Sequence, residues 1–161
     1  MLPDTLDSAS ALLFLGSGFS SQATNILNTN PPVGSGLAKE FERQLGVGHG
    51  ELDLKVLANE MSFRTDKSLY QTLYNLFTIS KLSPSQTDIL ARKWLRIFTT
   101  NYDDAIEFAY QQNGIRCHSY NFDAPIPRRI QTGSIVHVHG WFAKQLRTMS
   151  LINSCWTKIV T

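Results

Sequence analysis

A chain of 161 residues, 42% hydrophobic and 11% aromatic, has one domain's worth of globular protein and is excluded from the disordered class. No apolar run approaches the roughly 20 residues that a membrane span needs, and Asp4 puts acid where a secretory signal needs positive charge, so a cytoplasmic location is expected. The net charge of +2 is uneven: residues 1–123 hold ten Lys/Arg against thirteen Asp/Glu, whereas residues 124–161 hold Arg128, Arg129, Lys144, Arg147 and Lys158 and no acid. Those charges are scattered, so a solvated face is favoured over a nucleic-acid surface, although the adjacent Arg128 and Arg129 would attract a phosphate-bearing ligand. Cys117 and Cys155 form no C-x-x-C pair, which leaves no cysteine-based zinc site and suits a reducing compartment.

In chain order, residues 1–10 read as a polar lead-in, with Asp7 or Ser8 able to cap a turn. Ala11 to Leu15 is a continuous apolar run, the pattern of a strand buried on both faces. Gly16-Ser17-Gly18-Phe19-Ser20 follows, and a helix is expected to begin near Phe19 or Ser20. Glycines there permit a tight turn and close approach of the backbone to a ligand, and the N-terminal end of such a helix suits a pyrophosphate. The third glycine of G-x-G-x-x-G is missing, so the turn alone is equally an ordinary strand-to-helix connection.

Asn28 to Gly36 is a loop by its two prolines and two glycines, placed to act as a lid or as part of a pocket floor. Helical spacing marks Leu37 to Leu45 with Gly46 as its stop, Leu52 to Phe63, and a helix capped by Asp66 whose stripe is Leu69, Leu73, Leu76 and Phe77. Ser83-Pro84 opens another helix, with proline at its first position. These make a helical insertion over about 36–92 between strands one and two. Strand two is Trp94 to Thr100, and Asp103 starts a helix that runs to about Gln112. Ile115 to Tyr120 is a third strand, Asn121 to Pro127 a loop, and Ser134 to His139 a fourth strand. After Gly140 no period is readable. The fold class is α/β with a Rossmann-like parallel sheet, and in such sheets ligands bind outside the carboxyl ends of the strands.

Three strand ends therefore carry the candidate chemistry. Asn101 can donate and accept, which suits a carboxamide, a water or a sugar hydroxyl, or a bond to its own turn. Asp103 suits a helix N-cap, with room for a second role beside Asn101. His137 and His139 point to one face of a strand, and His139, beside Gly140, is the one placed to act as a general base. His137, further inside, reads as structural, and no third ligand makes the pair a metal site.

Gly16-Ser17-Gly18-Phe19-Ser20, Thr99-Thr100-Asn101-Tyr102-Asp103 and His139-Gly140 resemble, in order, the three signature motifs of the sirtuin-like family over roughly residues 11–142. The T-T-N-Y-D form resembles the effector domains of bacterial anti-phage systems more than protein deacylases. The resemblance implies a single NAD-binding domain in which Gly16, Ser17, Gly18, Phe19 and Ser20 cradle the pyrophosphate. Asn101 would serve the nicotinamide ribose, Thr100 would be a further NAD-binding residue, Asp103 would support the nicotinamide pocket, and His139 would be the base. The implied reaction is NAD+ hydrolysis to nicotinamide and ADP-ribose, depleting NAD. Loss of nicotinamide leaves an oxocarbenium-like ribose, as in glycoside hydrolysis.

The cysteine pairs of the deacylases' zinc ribbon are missing, so NAD is expected as substrate without zinc. The family's domain also continues beyond His-Gly further than this chain does. The chain is therefore read as the N-terminal part of a longer domain, with the sheet incomplete at its C-terminal side. A homo-oligomer, a C-terminal sensor domain or a phage-derived trigger would be the partners of a full-length parent. The alternatives are a catalytically inactive NAD- or ADP-ribose-binding module and an NAD-dependent protein deacylase.

Overall fold

The computed structural model describes residues 8–48, 50, 52–63, 68–122 and 131–139. The expectations placed on Asp7, Asp66, the loop beyond Phe122, Arg128, Arg129, Gly140, Cys155 and the stretch after Gly140 lie outside those residues. Strands β1 (Leu12–Leu15), β4 (Arg96–Thr99), β6 (Ser134–His137) and β5 (Ser119–Asn121) form a parallel sheet in the order β1-β4-β6-β5. Strands β2 (Thr24–Asn25) and β3 (Ile79–Lys81) make a separate antiparallel pair. The helices are α1 (Gly34–Leu45), α2 (Leu54–Phe63), α3 (Ser68–Phe77), α4 (Pro84–Leu90) and α5 (Ala105–Gln112). This is the expected α/β, Rossmann-like arrangement, with helices α1 to α4 inserted between β1 and β4.

Local chemistry accounts for the element ends. Gly46 takes the left-handed conformation (φ 72°, ψ 28°) after α1, where a side chain would be strained. Ser83 and Gln86 form a capping box at α4, with Pro84 in the first turn. The core has two main parts. Leu37, Phe41, Leu57, Met61, Leu69 and Leu73 bind α1, α2 and α3 into a helical lobe. Leu15, Ile97 and Ile135 pack on α4 and α5 through Leu90, Ile106 and Tyr110, with Trp94 from the segment before β4 in the same cluster.

Several boundaries move. Strand β1 is not buried on both faces: among the described residues it is at the edge of the sheet, and Leu12 and Phe14 are 60% and 65% exposed while Leu15 faces the core. An unbroken apolar run does not distinguish the two cases. No α-helix starts at Phe19; Phe19–Gln22 is a single 3-10 turn, because the chain extends at Ala23 into β2. Helix α1 begins at Gly34, three residues into the expected loop's end. The third strand is shifted to Ser119–Asn121, and the fourth ends at His137 rather than His139. Strands β2 and β3 had no sequence signal, being two and three residues long.

Asp104, at the N-cap of α5, ties β3 to the start of that helix: its Oδ1 accepts the Ile79 backbone N–H at 2.7 Å. Burial pushes its carboxyl up to about 7, the Ile79 bond opposes this, and the charges of Glu107 and Asp103 add to it. The folded chain thus keeps this proton where an unfolded Asp has lost it, near pH 4. The resulting stabilisation is complete below that value and is lost as pH rises through about 7. Asp104→Asn keeps an acceptor for Ile79 and cannot ionise. Urea unfolding should show the variant gaining on the parent between about pH 4 and about pH 7, and a difference independent of pH would contradict this account.

Candidate functional site

Strands β1, β4 and β6 are neighbours, so their carboxyl ends lie along one sheet edge. Leu15, Thr99 and His137 are in register there. The ladder continues one step further, with Thr100 N–H donating to Leu15 O at 3.1 Å and Val138 N–H to Thr99 O at 2.8 Å.

Beyond β1 the turn is closed by Phe19 N–H donating to Gly16 O at 2.9 Å. Neither Gly16 nor Gly18 has a positive φ, and a Cβ on either would meet nothing within 4 Å. Backbone geometry and packing therefore do not require glycine at these positions, and the open space beside the turn fits close approach of a ligand. Phe19 has a different place: its ring packs against both the sheet core and a small cluster with Ala23, Ile79 and Ala105. Its carbonyl accepts from Gln86 Nε2, which ties the turn to α4.

Ser20, Asn101 and Asp103 come together, 2%, 7% and 6% exposed. Asn101 Nδ2 donates to Ser20 Oγ at 2.9 Å, and the Ser20 hydroxyl donates to the Asp103 carboxylate. Asp103 also accepts the Ala105 N–H at 3.1 Å, so it binds the first turn of α5 as well as the site. Its carboxyl is raised chiefly by burial, with the Ser20 and Ala105 hydrogen bonds opposing and the Glu107 charge adding. The direction of these bonds fixes the Asn101 amide. Its nitrogen faces Ser20, and its buried oxygen, Oδ1, has no partner.

That group borders a cleft of about 250 Å³ between the sheet edge and the helical lobe. Ser17, Ser20, Thr100, Asn101 and Asp103 line one side; Pro31, Pro32, Val33 and Leu37, with Leu54, Phe77 and Tyr102, make the apolar remainder. Phe77 and Tyr102 meet edge to face, 6.2 Å between centroids. An apolar hollow with a few convergent polar groups is the usual form of a small-molecule site.

The Asn28 to Gly36 stretch is a wall of this cleft, and it is tied down. Asn25, fully buried, accepts from Leu27 N–H, Thr29 N–H and Thr29 Oγ1 at 3.0, 3.0 and 3.1 Å, and its Nδ2 donates to Leu76 O. Asn30 Nδ2 donates to Ala23 O at 2.8 Å. Sequence reasoning missed Asn25 and Gln86, because an Asn or Gln with no neighbouring motif carries no signal of the long-range bonds it will make.

His137 is fully buried, while His139 is exposed two residues past the His137–Thr99 pair and is not among the residues lining the cleft. Cys117 is half-buried, its thiol pushed up to about 11 by burial. Among the described residues no group of three or more His, Cys, Asp or Glu is placed to hold a metal ion. No described helix is long and apolar enough to cross a membrane.

A family model described as "SIR2-like domain" matches residues 95–158, which includes β4, α5, β5 and β6. This supports a sirtuin-like family and an NAD-related role, and the first of the three motifs lies outside the matched segment. No curated protein matches the chain.

Removing the Ser20 hydroxyl takes away a bond that lowers the Asp103 pKa. In Ser20→Ala the Asp103 carboxyl should therefore titrate higher than in the parent, as read from its 13C shift against pH. An unchanged or lower midpoint would show that the hydroxyl does not serve the carboxylate.

Proposed function

We propose that this chain is an NAD+-hydrolysing domain of a sirtuin-like effector, cleaving the nicotinamide–ribose bond to give nicotinamide and ADP-ribose. The observation that carries the reading is Asn101 Oδ1, a buried acceptor without a partner at the carboxyl edge of a parallel sheet, beside an apolar cleft. A buried acceptor left unpaired is costly, and a bound ribose hydroxyl or water would satisfy it. The SIR2-like match over residues 95–158 supports NAD as the ligand.

The residues supply three functions. The space beside Gly16 and Gly18 takes the pyrophosphate. Asn101, steered by Ser20 and Asp103, orients the ribose or the attacking water. The apolar wall from Pro31 to Leu37 suits a flat nicotinamide ring and keeps bulk water from it. Nicotinamide leaves with the electron pair of the C–N bond, and the ribose becomes oxocarbenium-like. Water adds to that carbon, and its proton passes to His139, the exposed imidazole two residues past the end of β6. The balance is NAD+ and water to ADP-ribose, nicotinamide and a proton. No zinc is invoked. A role in anti-phage defence, in the cytoplasm and within a homo-oligomer or beside a sensor domain, is supported by the T-T-N-Y-D resemblance alone.

The test is nicotinamide release from NAD+ by the purified chain without any acyl-lysine peptide. Asn101→Ala should slow it by about 100-fold or more, and His139→Ala by about 100-fold. Gly18→Ala should weaken NAD+ binding with the thermal midpoint unchanged, since nothing stands within 4 Å of the added Cβ. Release undiminished in Asn101→Ala would falsify the assignment. Binding without turnover would instead identify a nucleotide-binding module.

A further inference from the structure

Glu107 and His137 are ionisable, lie under the site, and have no part in the chemistry proposed above. His137, at the end of β6, is 0% exposed. Its Nε2 lies 2.8 Å from Glu107 Oε1, and its Nδ1 lies 3.3 Å from the main-chain carbonyl oxygen of Asn101. A carbonyl only accepts, so Nδ1 carries a hydrogen and donates it. One proton lies between Nε2 and Oε1, and whichever atom holds it, the ring orientation is the same. Glu107 is itself held, its Oε1 accepting from the Ser119 hydroxyl at 2.6 Å. Ser119 Oγ in turn lies 3.2 Å from Cys117 Sγ. Since the serine hydrogen goes to Glu107, the thiol donates to Ser119.

Asn101 is thereby gripped at three atoms. Its N–H donates to Thr99 Oγ1 at 3.0 Å, its Nδ2 to Ser20 Oγ at 2.9 Å, and its carbonyl receives His137. Oδ1 alone is left without a partner. We propose that His137, oriented by Glu107, is a positioning residue that fixes the Asn101 main chain so that Oδ1 is presented to the ligand. The inference deepens the hydrolase reading and rests on it for its catalytic consequence, but the geometry it asserts is measurable without turnover.

Two substitutions separate the contacts. An Asn side chain can set its amide nitrogen near the place of Nδ1, and a Gln side chain near that of Nε2. His137→Asn thus keeps the link to Asn101 and gives up Glu107; His137→Gln does the reverse. Both lose one buried partner, so a purely structural histidine predicts similar behaviour for the two. The first readout, on the full chain, is the 15N–1H pair of the Asn101 side-chain amide, assigned by its loss in Asn101→Ala. It should stay in place in His137→Asn and collapse toward solvent-averaged values in His137→Gln. The second is nicotinamide release, expected within about threefold of the parent in His137→Asn and down at least about tenfold in His137→Gln.

If the Asn101 resonances are alike in the two variants, the positioning role is wrong, whatever the activity. If they separate as expected while the parent chain hydrolyses no NAD+, the positioning role stands and the hydrolase reading fails. Where His137→Gln does not fold, Glu107→Ala frees the ring to turn and is judged on the same resonances.

Discussion

Ser20 Oγ accepts the Asn101 amide N–H, and its hydroxyl lies against the buried Asp103 carboxyl, whose rise it opposes. The site is organised around this triad. The serine oxygen is left as an acceptor, so Asn101 turns its nitrogen inward and its oxygen is left without a partner. Burial raises the Asp103 carboxyl, and the serine and the Ala105 amide oppose that rise. The same carboxylate ties the end of the sheet to the start of α5. Structure and site thus share one small set of bonds, and a change meant for one is felt by the other.

Much of this was legible in the sequence because it depends on strong local rules. The apolar runs ending in Gly-Ser-Gly, T-T-N-Y-D and H-V-H-G marked three strand carboxyl ends, and parallel pairing of β1, β4 and β6 sets those ends side by side. Ser83-Pro84 and Gly46 announced helix ends by side-chain capping and by left-handed backbone, both of which need only one or two residues. Asp103 read as a cap and does accept from the first helical amide, though the N-cap position itself falls on Asp104.

The rest was hidden for physical reasons. The turn at Phe19 looked like a helix start because its composition is that of one; the pull of β2 pairing with β3, far along the chain, cut it to a single 3-10 turn. Hydrophobicity could not tell an edge strand from a central one, so the exposure of Leu12 and Phe14 went unread. Asn25, Gln86 and Glu107 act through partners distant in sequence, and pattern reasoning sees only neighbours.

The bond between Ser20 and Asn101 spans 81 positions. Parallel strands cannot pair until the crossover between them is closed, and non-local pairing of this kind is slow to form. Helices α1, α2 and α3 need far shorter loops to meet. During synthesis, the glycine turn, the loop wall and the helical lobe leave the ribosome before Asn101 does. Thr100, Asn101 and Asp103 therefore join Ser17 and Ser20 last, when β4 docks between β1 and β6. Until that moment the emerging polypeptide has the Pro31 to Leu37 wall of the cleft without Asn101 and Asp103 facing it, so the hollow is a late product of folding.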